Sequence, residues 1–107
     1  MSLGEPTPQD SVEQPVRVVN NEPDHRFEIQ APDGTFAELI YHVRRGDTLV
    51  LLHTEVPPPL RGRGMAGRLA RAALEYARAR GLRVIVKCPY VRGFIERHPE
   101  FKDLVDE

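Results

Sequence analysis

Apolar and polar residues alternate over the first part of the chain, which is the pattern of strands that bury one face. A short alternating run begins at Val16 and closes at Asn20–Asn21, and the same period continues through Phe27 and Ile29. These positions predict the first strand region of an antiparallel meander.

Two longer strands follow, each preceded by a turn. Pro32–Gly34 favours a hairpin turn, and Phe36–Val43 then alternates as a second strand. Arg45–Asp47 turns the chain again, and Thr48–Val56 is apolar enough to be a central third strand. Pro57–Pro59 ends that strand because proline cannot donate a hydrogen bond to the ladder.

The second half of the chain changes to a helical period. Apolar residues recur every three or four positions over Met65–Arg80, and Gly81 follows where a helix C-cap is expected. Leu82–Val86 predicts a short buried strand, and Tyr90–Arg97 predicts a second helix ended by Pro99. This order predicts an α/β (α+β) fold with a mixed, mostly antiparallel sheet, a parallel β-α-β crossover and two main helices.

The chain of 107 residues, 40% of them hydrophobic, is long enough for one domain with a modest core. Residues 1–15 hold three prolines among Ser, Gln, Asp and Glu, so we expect a disordered arm ahead of a single domain spanning residues 16–107. The first residues lack the features of a signal peptide, and no apolar stretch approaches the ~20 residues of a membrane span. We therefore expect a soluble, cytoplasmic protein with no membrane partner.

A single cysteine, Cys88, excludes an intramolecular disulfide and any zinc site built on paired cysteines. The lone thiol suits a reducing compartment. The four histidines show no metal-ligand spacing, so we expect no metal site.

Charge is distributed unevenly although the net charge is only −1. Residues 1–60 carry 4 Lys and Arg against 10 Asp and Glu, whereas residues 61–107 carry 11 against 6. Such a gradient steers an anionic partner to the basic half, and a solvated helix surface produces the same pattern.

The turn after the third predicted strand holds the most informative chemistry. Gly62 and Gly64 lie where the long helix opens, flanked by Arg61 and Arg63. Free N–H groups at a helix start bind anions, and glycine lets the backbone approach a phosphate closely. The turn therefore suits a pyrophosphate, although two glycines also occur in a plain strand-to-helix turn.

Two other phosphate-binding motifs fit this turn poorly. A P-loop requires Gly-Lys-Ser/Thr, whereas Gly64 is followed by Met65 and Ala66. A dinucleotide-binding fingerprint requires an acidic residue at the end of the next strand, and Leu82–Lys87 contains none. We therefore disfavour both motifs.

The run Arg61–Ala66 resembles the Arg/Gln-x-x-Gly-x-Gly/Ala signature of the GNAT (Gcn5-related) N-acetyltransferases. Three further runs, His53–Pro57, Cys88–Val91 and Phe94–Pro99, are similar to the YjdJ-type subgroup of very small GNAT-like proteins. The resemblance extends over residues 16–105 and implies a single-domain minimal GNAT fold.

The resemblance implies acetyl-CoA, or CoA, as cofactor. Its pyrophosphate is expected on the signature amides, and its pantetheine arm is expected beside the end of the third strand, where that strand and the next separate to admit the acetyl group. The charge gradient agrees, since CoA is a polyanion. The implied cofactor-binding residues are Glu55, Val56, Arg61, Gly62, Arg63, Gly64, Met65 and Ala66.

The implied reaction is direct attack of an amine on the thioester. The segment 21–26 leaves no room for the helical lobe that larger members insert, so we expect an open acceptor site. An open site suits a small-molecule amine or an exposed protein amine as acceptor. We expect a monomer or a weak homodimer.

Three residues are candidates for catalysis, namely Cys88, Tyr90 and Glu55. The family's usual Asn and Tyr positions hold Cys88 and Ile95 here, so Tyr90 is a substitute general acid by proximity alone. Glu55, on the same strand face as His53, is a candidate base. Cys88 is open to three interpretations, as an apolar filler, a lining of the acetyl site or a reactive thiol. Tyr90 is open to two others, packing and cofactor contact.

Two further functions stay open as alternatives. The missing tyrosine at position 95 and the missing lobe favour a non-catalytic module that binds CoA or acetyl-CoA. A nucleic-acid-binding domain built on the arginine-rich helix is disfavoured, because the chain is acidic overall and lacks aromatic residues interleaved with the arginines. We therefore expect no nucleic-acid partner.

Overall fold

The computed structural model describes residues 17–106, which form five strands and two α-helices. The predicted disordered arm and Val16 lie outside the described residues. None of the helices in this part of the chain is long and apolar enough to span a membrane. The elements are β1 (Val19–Asn21), β2 (Arg26–Gln30), β3 (Phe36–Arg44), β4 (Thr48–Glu55), α1 (Met65–Arg80), β5 (Arg83–Val86) and α2 (Pro89–Arg97), with short 3₁₀ helices at Glu22–Asp24, Pro58–Leu60 and Pro99–Leu104.

The strands form one sheet in chain order, so each strand lies beside its neighbours in sequence. β1 to β4 pair in antiparallel fashion, whereas β4 and β5 are parallel because α1 carries the chain back across the sheet. The predicted mixed, mostly antiparallel sheet with one β-α-β crossover and two main helices is confirmed.

The predicted first strand region consists of two strands rather than one. Asn21 Oδ1 accepts a hydrogen bond of 3.3 Å from the Asp24 backbone N–H and so caps a 3₁₀ turn. His25 then adopts a left-handed backbone conformation, with φ of 56°, and reverses the chain. The alternating pattern conceals this reversal because β1 and β2 keep the same period. No helical lobe is inserted between these two described strands.

One apolar core lies between the sheet and the helices. Three alanines of α1 are completely buried, which brings the helix close to the sheet because a methyl group needs little space. The remaining space is filled by larger side chains from both helices, including Leu69, Leu74 and Phe94. The completely buried strand positions are Ala37, Leu39, Leu49, Leu51 and Val84.

The C-terminal segment is fastened to α1. Phe101 and Leu104 are buried in the core, as their apolar character predicts. Arg78 donates two hydrogen bonds, of 2.9 and 3.1 Å, to the Asp103 carboxylate. The hydrogen bond from Arg78 holds the pKa of the Asp103 carboxyl below its ordinary value.

Two adjacent leucines on β4 give a matched test of this core. Leu51 is 0% exposed, whereas Leu52 is 40% exposed. We expect Leu51→Ala to lower the free energy of unfolding by about 2–5 kcal/mol, because it removes buried methyl groups and leaves a cavity. Leu52→Ala should cost less than about 1 kcal/mol. Equal losses in urea denaturation would contradict the strand orientation described.

The Arg78–Asp103 pair predicts a dependence of stability on pH. A carboxyl whose pKa is lower in the folded state stabilises the fold above its unfolded pKa, and this contribution is lost as the pH falls through the folded pKa. Asp103→Asn should therefore reduce the loss of folding stability that the protein shows as the pH falls into the acid range. Thermal unfolding between neutral and strongly acidic pH measures this, and a loss identical to that of the unaltered protein would show that the pair contributes nothing.

Candidate functional site

β4 is longer than the strand beside it. The last paired residues of β4 and β5 are Leu51 and Val86, yet β4 runs on to Glu55. The Leu51 carbonyl accepts hydrogen bonds from the backbone N–H groups of both Lys87 (2.8 Å) and Cys88 (3.1 Å), and the chain then turns into α2. Beyond Leu51, no described strand pairs with this edge of β4. An unpaired strand edge can hydrogen-bond an extended ligand as an added strand.

A β-bulge lies at the same level of the sheet. Ile40 of β3 is opposite His53, but its neighbour Tyr41 is opposite Leu51, so Leu52 is the extra residue on β4. A bulge bends its strand and increases the local twist. It therefore turns the end of β4 at the point where β5 leaves it.

A cavity of about 200 Å³ lies between the end of β4 and the first turns of the two helices. Six of the eight predicted cofactor-binding residues line it, whereas Glu55 and Arg63 do not. Leu60 and Gly67 also line it, although no sequence pattern marks them as site residues. The lining residues are Val56, Leu60, Arg61, Gly62, Gly64, Met65, Ala66, Gly67 and Tyr90.

The turn below this cavity exposes the start of α1. Gly64, with φ of 75°, is the N-cap residue, and no side chain caps the helix there. The first N–H groups of a helix lack carbonyl partners within the helix, and the helix dipole places positive charge at the same end. The Arg61 side chain donates a hydrogen bond of 2.9 Å to the Val56 carbonyl, which ties the turn to the end of β4.

Two arginines add positive charge to this end of α1. Arg63 and Arg68 are exposed, and the side chain of neither forms a hydrogen bond or an ion pair with a described residue. By contrast, Arg78 at the far end of α1 is occupied by Asp103. The guanidinium groups of Arg63 and Arg68 are therefore available to meet an anion at this end of α1.

Tyr90 reaches the cavity from the first turn of α2. A Cβ atom added at Gly67 would lie 3.4 Å from the Tyr90 hydroxyl oxygen and 3.8 Å from a ring carbon of Phe94. The glycine thus allows α1 and α2 to approach and leaves space for the hydroxyl group. Tyr90 is 37% exposed, and no described residue is hydrogen-bonded to its hydroxyl.

Cys88 lies outside the cavity lining and is only 2% exposed. Its Sγ atom is hydrogen-bonded to the Thr54 Oγ1 atom at 3.2 Å. Of the three interpretations of this residue, burial favours the packing role over a reactive thiol, because a reagent or substrate cannot reach the sulfur without movement of its neighbours.

Glu55 faces the opposite side of the sheet from Thr54. Its cross-strand partner is Glu38, and its Oε1 atom lies 3.1 Å from His53 Nε2. Glu55 and His53 thus share a face, as predicted, and both are exposed. The three catalytic candidates do not form a cluster: Tyr90 lines the cavity, Cys88 is buried in the core and Glu55 lies on the far face. Within residues 17–106, no three His, Cys, Asp or Glu side chains group to hold a metal ion.

Comparison with known proteins identifies relatives over most of the chain. The family model described as "GCN5-related N-acetyl-transferase" matches residues 26–104. Protein NATD1 from Bos taurus is 34% identical over 86 residues, covering 79% of this chain and 76% of that protein. Protein NATD1 from Mus musculus is 31% identical over 96 residues, covering 87% of each chain.

A solved structure has the same architecture. The NMR structure of a GCN5-like protein from Staphylococcus aureus superposes with a TM-score of 0.66. The match covers 87% of this chain and 90% of the other, at 22% sequence identity. At this identity the likeness concerns the fold alone.

The burial of Cys88 predicts slow reaction with a thiol reagent. We expect the native protein to be labelled by a disulfide-forming reagent at least ~100-fold more slowly than the urea-unfolded chain, because reaction requires an opening of the core. Val43→Cys in a Cys88→Ala background is the matched control, since Val43 is exposed. Native labelling of Cys88 as fast as that of the control would contradict the burial.

Proposed function

Since the chain belongs to the GCN5-related N-acetyltransferase family, we propose that it transfers the acetyl group of acetyl-CoA to an amine. One observation carries the proposal: the cavity lies over an uncapped helix start and next to an unpaired strand edge. An anionic head and an extended, amide-bearing arm require these two features side by side. The short runs around His53, Cys88 and Phe94 support placing the chain in the small YjdJ-type subgroup.

The proposed binding site for the cofactor follows from this arrangement. The amides of Arg61–Ala66 hold the pyrophosphate, and the exposed Arg63 and Arg68 supply positive charge beside it. The pantetheine arm lies along the free edge of β4 near Glu55 and Val56. Neither Glu55 nor Arg63 lines the cavity, so Glu55 contributes through its backbone at the edge of β4 and Arg63 through the charge of its exposed side chain.

Acetyl-CoA supplies a thioester, and attack by an amine forms a C–N bond as the C–S bond breaks. The departing sulfur needs a proton, and the Tyr90 hydroxyl is the proposed donor because it lines the cavity. The amine must lose a proton, and Glu55, paired with His53, is the proposed acceptor of that proton through water. The buried Cys88 thiol takes no part in these proton transfers.

The proposed acceptor is a small-molecule amine or an exposed protein amine. Glu22–Asp24 forms only one 3₁₀ turn between β1 and β2, and the side chains of His53 and Glu55 are exposed. An acceptor amine could therefore reach these residues from solvent without first entering a deep pocket.

A non-catalytic CoA-binding module is the second candidate function. Ile95, at the family's tyrosine position, is buried in the core and cannot donate a proton. The separation of Tyr90 from Glu55 also favours binding without turnover. Release of CoA thiol above the uncatalysed rate with spermidine, a lysine-containing peptide or a peptide with a free N-terminus would exclude this candidate.

Gly64→Glu tests the proposed binding site for the cofactor. The carboxylate would occupy the helix start and repel the pyrophosphate, so we expect acetyl-CoA affinity to fall by at least about 100-fold in a calorimetric titration. Gly46→Glu is a matched control, because Gly46 has the same φ of 75°, lies in the β3–β4 turn and, like Gly64, has no atom near an added Cβ. Equal affinities of the two variants for acetyl-CoA would contradict the proposed binding site.

Tyr90→Phe tests the proposed acid. Loss of the hydroxyl should lower the rate of acetyl transfer by about 100-fold, since a positioned general acid contributes this much, while acetyl-CoA affinity changes by less than about threefold. The CoA thiol released with the three amine probes reports the rate, and calorimetry reports the affinity. An unchanged rate would remove Tyr90 from the chemistry.

A further inference from the structure

The gap between β4 and the start of α2 is bridged by one pair of small side chains. Below the gap, Leu51 and Val86 are tightly packed and end the strand pairing. Above Leu51, the described contact across the gap is the 3.2 Å hydrogen bond between Thr54 and Cys88. The opening beside the free edge of β4 is therefore closed at its inner end by these two side chains.

The bridge lies on the same side of the sheet as the cavity. Thr54 is opposite Leu39, whose side chain is completely buried beneath the helices, so Thr54 points towards the core. Val56 and Tyr90, two residues further along from Thr54 and Cys88, both line the cavity. A group that enters from the cavity along β4 consequently meets the Thr54–Cys88 pair first.

We propose that the Thr54–Cys88 contact sets the length of the acyl group that the protein accepts. The inference rests on the proposed function, in which the thioester lies beside the free edge of β4. A two-carbon acetyl group ends short of the contact, whereas a four-carbon butyryl group needs the volume that the Thr54 side chain and the Cys88 thiol occupy. Overpacking a filled interior is unfavourable, so longer acyl groups are rejected by size.

Calorimetric titrations with free CoA, acetyl-CoA, propionyl-CoA and butyryl-CoA test this proposal. The unaltered protein should bind acetyl-CoA more tightly than butyryl-CoA. Thr54→Ala and Cys88→Ala should each raise the ratio of butyryl-CoA to acetyl-CoA affinity about fivefold to tenfold, as expected from room for one or two methylene groups. Thr54→Val keeps the volume and removes the hydroxyl, so it should retain the original ratio. Thr48→Ser, at the far end of β4, is the control for a general effect of changing this strand.

The outcomes separate the inference from the proposed function. Tight binding of acetyl-CoA with the same chain-length ratio in all variants would overturn the role of Thr54 and Cys88 and leave the proposed function intact. A change in the ratio with Thr54→Val as large as with Thr54→Ala would also overturn it, because size would not be the cause. Failure of the folded, unaltered protein to bind any of the four compounds would overturn the proposed function itself. Circular dichroism establishes that each variant is folded.

Discussion

The Leu51 carbonyl accepts two hydrogen bonds from the chain that leaves β5, and the site depends on this arrangement. Because Lys87 and Cys88 both donate to one oxygen, the parallel ladder stops there and does not continue along β4. Beyond this point the edge of β4 has no strand partner among the described residues, so its backbone groups can pair with an added strand. The bulge at Leu52 occurs at the same level and bends β4 there.

The rest of the fold holds this opening in place from three sides. α1 lies close to the sheet through its buried alanines, so the start of the helix has a fixed position relative to the end of β4. Gly67 allows α2 to approach α1, which brings Tyr90 to the cavity. The Arg61 side chain donates a hydrogen bond to the Val56 carbonyl and so holds the turn against the end of β4. A few small or turn-forming residues thus determine the shape of the site, which is built from several elements.

The sequence was sufficient to predict the elements that have a clear period. Met65–Arg80 has the predicted bounds and ends at Gly81, because the apolar spacing and the cap agree. The break at Asn20–Asn21 is predicted, but the order counts β1 and β2 as one strand region, because the left-handed turn at His25 is not marked by a glycine. The bulge was missed because Leu49–Leu52 are all apolar, and a continuous apolar run does not show where the register shifts.

The candidate site was predictable in part, for a comparable reason. Residues adjacent in the turn, such as Gly62 and Gly64, line the same cavity because the helix start is a local structure. Gly67 and Leu60 became lining residues only through the packing of two helices and a strand, which no local pattern encodes. Cys88 and Tyr90 are close in sequence, yet only Tyr90 lines the cavity. At the start of α2 the Cys88 side chain points into the core, whereas the Tyr90 side chain points outwards.

We propose that CoA occupies the opening where β4 extends beyond the last paired residue of β5. Amide chemical shifts of the protein, followed by NMR during titration with CoA, test it most directly. We expect the largest changes on two segments, Leu52–Val56 and Arg61–Ala66, with little change in β1 and β2. Changes confined to other parts of the sheet, or no change at about 1 mM CoA, would contradict this placement of the cofactor.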